Sequence, residues 1–184
     1  MPTHPTIRLR PGIERGLARG LPWVYERQVD WEDHDRDLPA GTIVDVLDSQ
    51  GRGVATAALH PGEPIALRCW AHQPGVAVDG ALLARRLAHA LALRSRIFED
   101  PWYRLVHADA DGLPGVVCDR FGSVLALELG IAALTLRAPL LEALHSLLDP
   151  RTVILRSGPD SELLGDALDG PVVLPEGRGR FLVD

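Results

Sequence analysis

Residues 105–122, LVHADADGLPGVVCDRFG, hold the densest local chemistry in this chain of 184 residues. With Tyr103 and Arg104 ahead of them, Leu105-Val106-His107 alternate in polarity as a strand does. Asp111-Gly112-Leu113-Pro114-Gly115 then break the chain, and Val116-Val117-Cys118 resume an apolar run. The pattern predicts strand, tight turn, strand. Gly112 and Gly115 accept positive φ without a Cβ clash, Pro114 fixes φ near about −65°, and Asp111 is placed to fold its carboxylate onto a nearby backbone N–H. On these residues alone, a well-made turn accounts for the segment.

On its C-terminal side, residues 123–129 read as a further strand. Leu136, Leu140, Leu141, Leu144 and Leu147 recur at helical spacing over 135–148. Pro139 must fall at the start or in the first turn of that helix, because a deeper proline would cost ~3 kcal/mol. Residues 152–156 are a strand, 157–170 read as loop, and 172–174 and 180–183 are strand-like up to Asp184, from which the natural chain is expected to continue. Upstream, Asp79 is a natural N-cap for a helix carrying Leu82, Leu83, Leu87, Leu91 and Ile97 or Phe98. Its Arg85, Arg86, Arg94 and Arg96 point elsewhere, towards solvent or, alternatively, RNA. Helix, three strands, helix, strand make an α+β layer whose sheet needs a helical cover.

Residues 1–74 differ in texture. Strands are expected at 7–10, 23–29, 42–47, 53–59 and 64–70, with a helical turn or two at 13–19 and a hairpin about Asp48-Ser49-Gln50-Gly51. Asp30, Glu32, Asp33, Asp35 and Asp37 mark 30–39 as an exposed acidic loop. Short strands joined by Gly/Pro turns predict a small β-barrel. Gln73-Pro74-Gly75 reads as a linker, which divides the chain into 1–74 and 75–184.

Composition narrows the classes. A hydrophobic share of 46% and a charged share of 24% are those of a globular protein. Apolar runs fall short of the ~20 residues of a membrane span, and Met1 begins no signal-peptide core, so a cytoplasmic protein with no membrane partner is expected. Cys69 and Cys118 form no CxxC pair and are read as buried apolar residues; the seven histidines match no metal-ligand spacing. A net charge of −6 argues against indiscriminate coating of nucleic acid. The distribution matters more than the sum, because all 19 cationic side chains are arginine. Arg8, Arg10, Arg15, Arg19 and Arg27 stand against only Glu14 and Glu26 in the first 27 residues. Such a patch either grips phosphate through planar forks or is simply a solvated surface.

Three stretches, in order, resemble one family: Gly20-Leu21-Pro22-Trp23-Val24-Tyr25, the segment from Tyr103 through Gly115 with Asp119-Arg120-Phe121, and Arg178-Gly179-Arg180-Phe181-Leu182-Val183-Asp184. The chain resembles the SAM-dependent 23S rRNA cytosine-5 methyltransferases of the large-subunit methyltransferase I type. That resemblance implies a PUA domain over 1–74, a central α+β domain over 75–184, and a Rossmann-like SAM-binding domain beyond them. It implies rRNA as partner, leaves room for a homodimer, and gives this chain no cofactor of its own, with SAM expected for the full-length protein. Catalytic and metal-binding residues are expected to be none here. Methylation at C5 needs a thiolate that adds at C6, and Cys118, in a valine run, is a poor candidate for it.

The expected RNA face comprises Arg8, Arg10, Arg15, Arg19, Trp23 and Arg27, with Arg104 and Arg120 added from the second half. Asp111, Gly112, Pro114 and Gly115 are the family signature loop, expected to face the catalytic domain or its RNA. The alternatives are a stand-alone PUA-type RNA-binding or interaction module without catalysis, and a PUA-bearing pseudouridine or archaeosine-type transferase.

Overall fold

A computed structural model describes residues 4–157 and 160–165. Its fold is α+β, with two mixed sheets and helices laid against the second. The first sheet contains β1 (Thr6–Arg8), β2 (Trp23–Tyr25), β3 (Ile43–Leu47), β4 (Gly53–Leu59) and β5 (Ile65–Ala71), in the order β1-β3-β4-β5-β2. β1 is parallel to β3, and the other pairs are antiparallel. The sheet curls until its ends meet: Leu9 bridges Val29, Arg10 N–H donates to the Gln28 carbonyl at 2.9 Å, and Asp30 N–H donates to the Arg8 carbonyl at 2.9 Å.

Period-two alternation sorts the side chains of this barrel. Ala55, Ala57 and Leu59 of β4 and Leu67 and Cys69 of β5 join its interior, with Ile7, Leu9, Val24, Val44, Val46 and Leu17 of the short helix α1 (Glu14–Ala18). Small alanines leave room for a tight curl. The intervening Ala58 and Trp70 belong instead to the core of the second sheet.

That second sheet has β6 (Trp102–His107), β7 (Val116–Phe121), β8 (Val124–Leu129), β9 (Thr152–Ser157) and β10 (Asp160–Gly165), in the order β10-β9-β8-β7-β6. Only the β8–β9 pair is parallel, and the crossover between them carries α3 (Ile131–Leu134) and α4 (Arg137–Leu148). α2 (Gly80–Arg94) packs on α4 and β6, burying Leu82, Leu83, Leu87 and Ala90. Asp79 Oδ1 accepts from Leu82 N–H at 2.9 Å, an N-cap worth ~1 kcal/mol. Pro139 is the third residue of α4, where its missing N–H is no loss.

Several expectations need correction. β2 ends at Tyr25, because Gln28 Oε1 accepts Tyr25 N–H at 2.8 Å and draws Glu26–Gln28 into a 3-10 turn. α2 stops at Arg94, leaving Ile97 and Phe98 outside it and exposed. The acidic stretch is folded: Asp33–Asp37 is a 3-10 turn in which buried Asp35 accepts from Glu32 N–H at 2.9 Å. There Arg36 stacks 4.5 Å from the Trp31 ring and pairs with Glu26 at 2.9 Å. The 157–170 loop contains β10, whose polar opening Asp160-Ser161-Glu162 hid a strand that pairing with β9 supports. The strands expected at 172–174 and 180–183 lie outside the described residues.

Candidate nucleic-acid interface

Ile7 and Leu9 point into the barrel, so Arg8 and Arg10 point out of it at the closing seam. Arg10 Nε donates to the Val29 carbonyl at 3.2 Å, and across the seam the Arg27 guanidinium lies 5.6 Å from the centre of the Tyr25 ring. Arg8 is on β1 with its guanidinium beside Gly51 of the β3–β4 turn, Arg10 follows β1, and Arg27 lies in the 3-10 turn across the seam. Arg15 and Arg19 are exposed, on and just after α1, whose Leu17 anchors the opposite side in the core. Trp23 is apart from both groups, half-buried on β2 opposite Arg68 of β5. Tyr25, 40% exposed beside Arg27, is an aromatic that the arginine count overlooked.

Arg104 and Arg120 are engaged within the second sheet. Arg104 forks onto Asp119 across β6 and β7 at 2.8 and 3.0 Å, and that hydrogen bond raises its pKa. Its side chain is 43% exposed, so the pair is worth less than about 1 kcal/mol and a phosphate can compete for it. Arg120 donates to the Gly122 carbonyl at 3.1 Å and to the Tyr103 hydroxyl at 3.2 Å.

The signature loop has the predicted backbone: Gly112 and Gly115 take φ of +69° and +75°. Asp111 Oδ2 accepts from His107 N–H at 2.6 Å, the fold-back expected of it. The helix arginines supply what the sequence did not reveal. Arg94 grips both oxygens of Asp111 at 2.6 and 2.7 Å, and Arg86 donates to the carbonyls of Gly112 and Trp70. Neither is a solvated side chain: together they pin the loop to α2 and to the end of β5. Eight residues apart on α2, they span about 12 Å and hold two points of one loop.

A cleft of about 650 Å³ opens between the sheets, lined by His60, Glu63, Arg68 and Asp109 with Ile65 and Ile131 among its apolar walls. Arg68 Nη1 donates to Asp109 Oδ2 at 2.7 Å. No spacing rule joins residues 41 positions apart, so only the fold reveals this pair. Among the described residues no cluster of three or more His, Cys, Asp or Glu has metal-binding geometry. Burial pushes the Cys69 and Cys118 thiols up to about 12, which disfavours a nucleophilic thiolate at either. At the parallel crossover, β8 enters α3 through Gly130 alone, without the glycine-rich turn that lets a backbone close on a nucleotide cofactor.

Residues 7–71 match the family model of a PUA-like domain. Beyond it, the chain is similar to ribosomal RNA large subunit methyltransferase I of Escherichia coli strain K12, at 34% identity over 96% of this chain and 48% of the relative. The same protein from the strain O1:K1 / APEC gives the same identity and coverage. The chain thus spans about half the length of the curated relatives it matches. Among solved structures, a candidate SAM-dependent methyltransferase from Streptococcus mutans superposes with a TM-score of 0.75 at 17% identity, covering 93% of this chain and 46% of that one. A candidate methyltransferase crystallised with SAH gives 0.75 at 15% identity, over 89% and 43%. These two establish the fold.

Proposed function

We propose that this chain is the RNA-recognition portion of a SAM-dependent rRNA methyltransferase of the cytosine-5 type. In this reading, residues 1–74 act as the PUA-like RNA-binding domain and 75–184 as a central domain, in the cytoplasm. Together they position rRNA for a catalytic domain supplied outside these residues. The carrying observation is the single run of similarity to an rRNA methyltransferase over 96% of the chain, which includes the PUA-like match and the signature loop. SAM donates the methyl group in that chemistry. The residues here hold RNA through phosphate contacts and aromatic stacking.

The arginines divide the work. The seam set Arg8, Arg10 and Arg27 and the helix pair Arg15 and Arg19 supply forks to phosphates, and Tyr25 and Trp23 offer faces to bases. Fluorescence anisotropy with a 23S rRNA fragment tests this. The double variant R15A/R19A is expected to bind at least tenfold more weakly, with a salt slope shallower by about 1 to 2. Unchanged binding would remove both residues from the RNA face.

A further inference from the structure

The outward face of β2 carries side chains that the barrel does not use. Val24 is fully buried, so Trp23 and Tyr25 on either side of it both point out. Two residues apart on a strand, their Cα atoms are separated by about 6.6 Å. An arginine stands at each end of this aromatic pair. Arg68 of β5 is in register with Trp23, and because Leu67 and Cys69 beside it enter the barrel core, its side chain shares the outward face. Arg27 lies beyond Tyr25, with its guanidinium 5.6 Å from the ring centre. The stripe therefore runs Arg27, Tyr25, Trp23, Arg68, from the closing seam to the cleft that Arg68 lines.

Both arginines are available to a ligand. Nearby, Arg36 sits 4.5 Å from the Trp31 ring and is locked there by Glu26 at 2.9 Å. Arg27 differs: it is exposed, has no ion-pair partner among the described residues, and holds Tyr25 near the outer limit of a cation–π contact. A base stacked on Tyr25 is the stronger interaction, and it frees the guanidinium for a phosphate. Arg68 gives Nη1 to Asp109 and keeps 29% of its side chain exposed, so the rest of its fork can take a second anion.

The spacing selects the form of nucleic acid. In a duplex the bases are paired inside and stacked about 3.4 Å apart along each strand, so exposed rings at twice that spacing meet only its backbone. An unpaired strand can splay its bases and lay neighbouring ones on two separate rings.

We propose that the outward face of β2 is a two-base platform for single-stranded RNA. One unpaired base stacks on Tyr25 and its neighbour on Trp23, while the flanking phosphates meet Arg27 and Arg68. Stacking reads no base edge, so the platform tolerates sequence. The inference rests on the RNA-recognition reading and deepens it by naming the form of RNA this face takes.

Fluorescence anisotropy tests it with the 184-residue chain, a labelled oligouridine of about ten nucleotides and an RNA duplex of the same length. Y25A is expected to bind the single strand at least fivefold more weakly with an unchanged salt slope, because a stacked base is lost and no phosphate contact is. Its duplex affinity should stay within twofold of the wild type, and Y25F, which keeps the ring, should restore single-strand binding. R27A should instead make the single-strand salt slope shallower by about 0.7. Trp23 is half-buried, so W23L, which keeps apolar bulk without a flat ring, is compared with W23F; a fivefold loss in W23L alone is expected, and if W23L misfolds Y25A decides. Single-strand binding that Y25A leaves unchanged, or a loss that the duplex shares equally, overturns the platform and leaves the R15A/R19A result standing. A wild-type chain that binds neither RNA overturns the RNA-recognition reading and the platform with it.

Discussion

Asp111 shows how much a single carboxylate can organise. Its two oxygens meet the Arg94 fork, and one of them also takes the His107 N–H. The pair is largely buried, with side-chain exposures of 8% and 14%, so removing one partner strands the other's charge at about 3–5 kcal/mol. D111A should accordingly lower the urea midpoint by that equivalent at constant m, and R94K, which keeps the charge but loses the fork, should lower it less. A midpoint unchanged in D111A would mean that the loop is not held by this pair. His60 gives a second test at this scale. Its folded pKa lies below the ordinary 6.5, for burial first and Arg68 second, so the unfolded chain takes up that proton at higher pH than the folded one. The contribution to stability is full above pH 6.5 and shrinks as pH falls through and below it. H60Q should flatten that limb of the stability–pH curve measured by urea titration.

At the scale of elements, the stretch that reads as a linker is fastened. Asp45, 5% exposed inside the first sheet, accepts from Gly75 N–H at 2.7 Å and from the Thr56 hydroxyl at 3.2 Å. The hydroxyl's one proton is shared with the nearer Gln73 carbonyl at 2.8 Å, and its oxygen accepts from Val76 N–H at 3.1 Å. T56V is isosteric but leaves those backbone groups unpaired, and should cost about 1–3 kcal/mol in thermal or urea unfolding while speeding amide exchange at Val76. A neutral T56V would return 73–76 to the status of a free connector. Local patterns made the helices readable: leucines at helical spacing, Asp79 as cap and Pro139 in the first turn all sit where the sequence places them. They could not show the 3-10 turn at Asp33–Asp37 or the polar-started β10, which depend on pairing and burial decided elsewhere in the chain. The same applies to the site. The turn glycines and the fold-back of Asp111 were legible from neighbours in sequence, whereas Arg68 meets Asp109 only because the two sheets meet.

At the scale of the molecule, the sheets share material. Trp70 and Ala58, from strands of the barrel, are packed into the core of the second sheet. Arg86 ties the Trp70 carbonyl to the signature loop. Gly41 approaches so closely that a Cβ there would lie 2.9 Å from the Ile131 carbonyl oxygen. The junction thereby fixes the cleft walls relative to the arginine seam, as the proposed positioning of RNA would require. Whether this outer arginine surface holds RNA is decided by the salt dependence of binding to a 23S rRNA fragment. A plot of log K against log[salt] for the wild-type chain should have a slope of about −4 if its five seam and helix arginines each meet a phosphate, and R8A/R10A/R27A should make it shallower by about 2 to 3. A flat plot, or a slope the triple variant leaves unaltered, would take RNA off this surface.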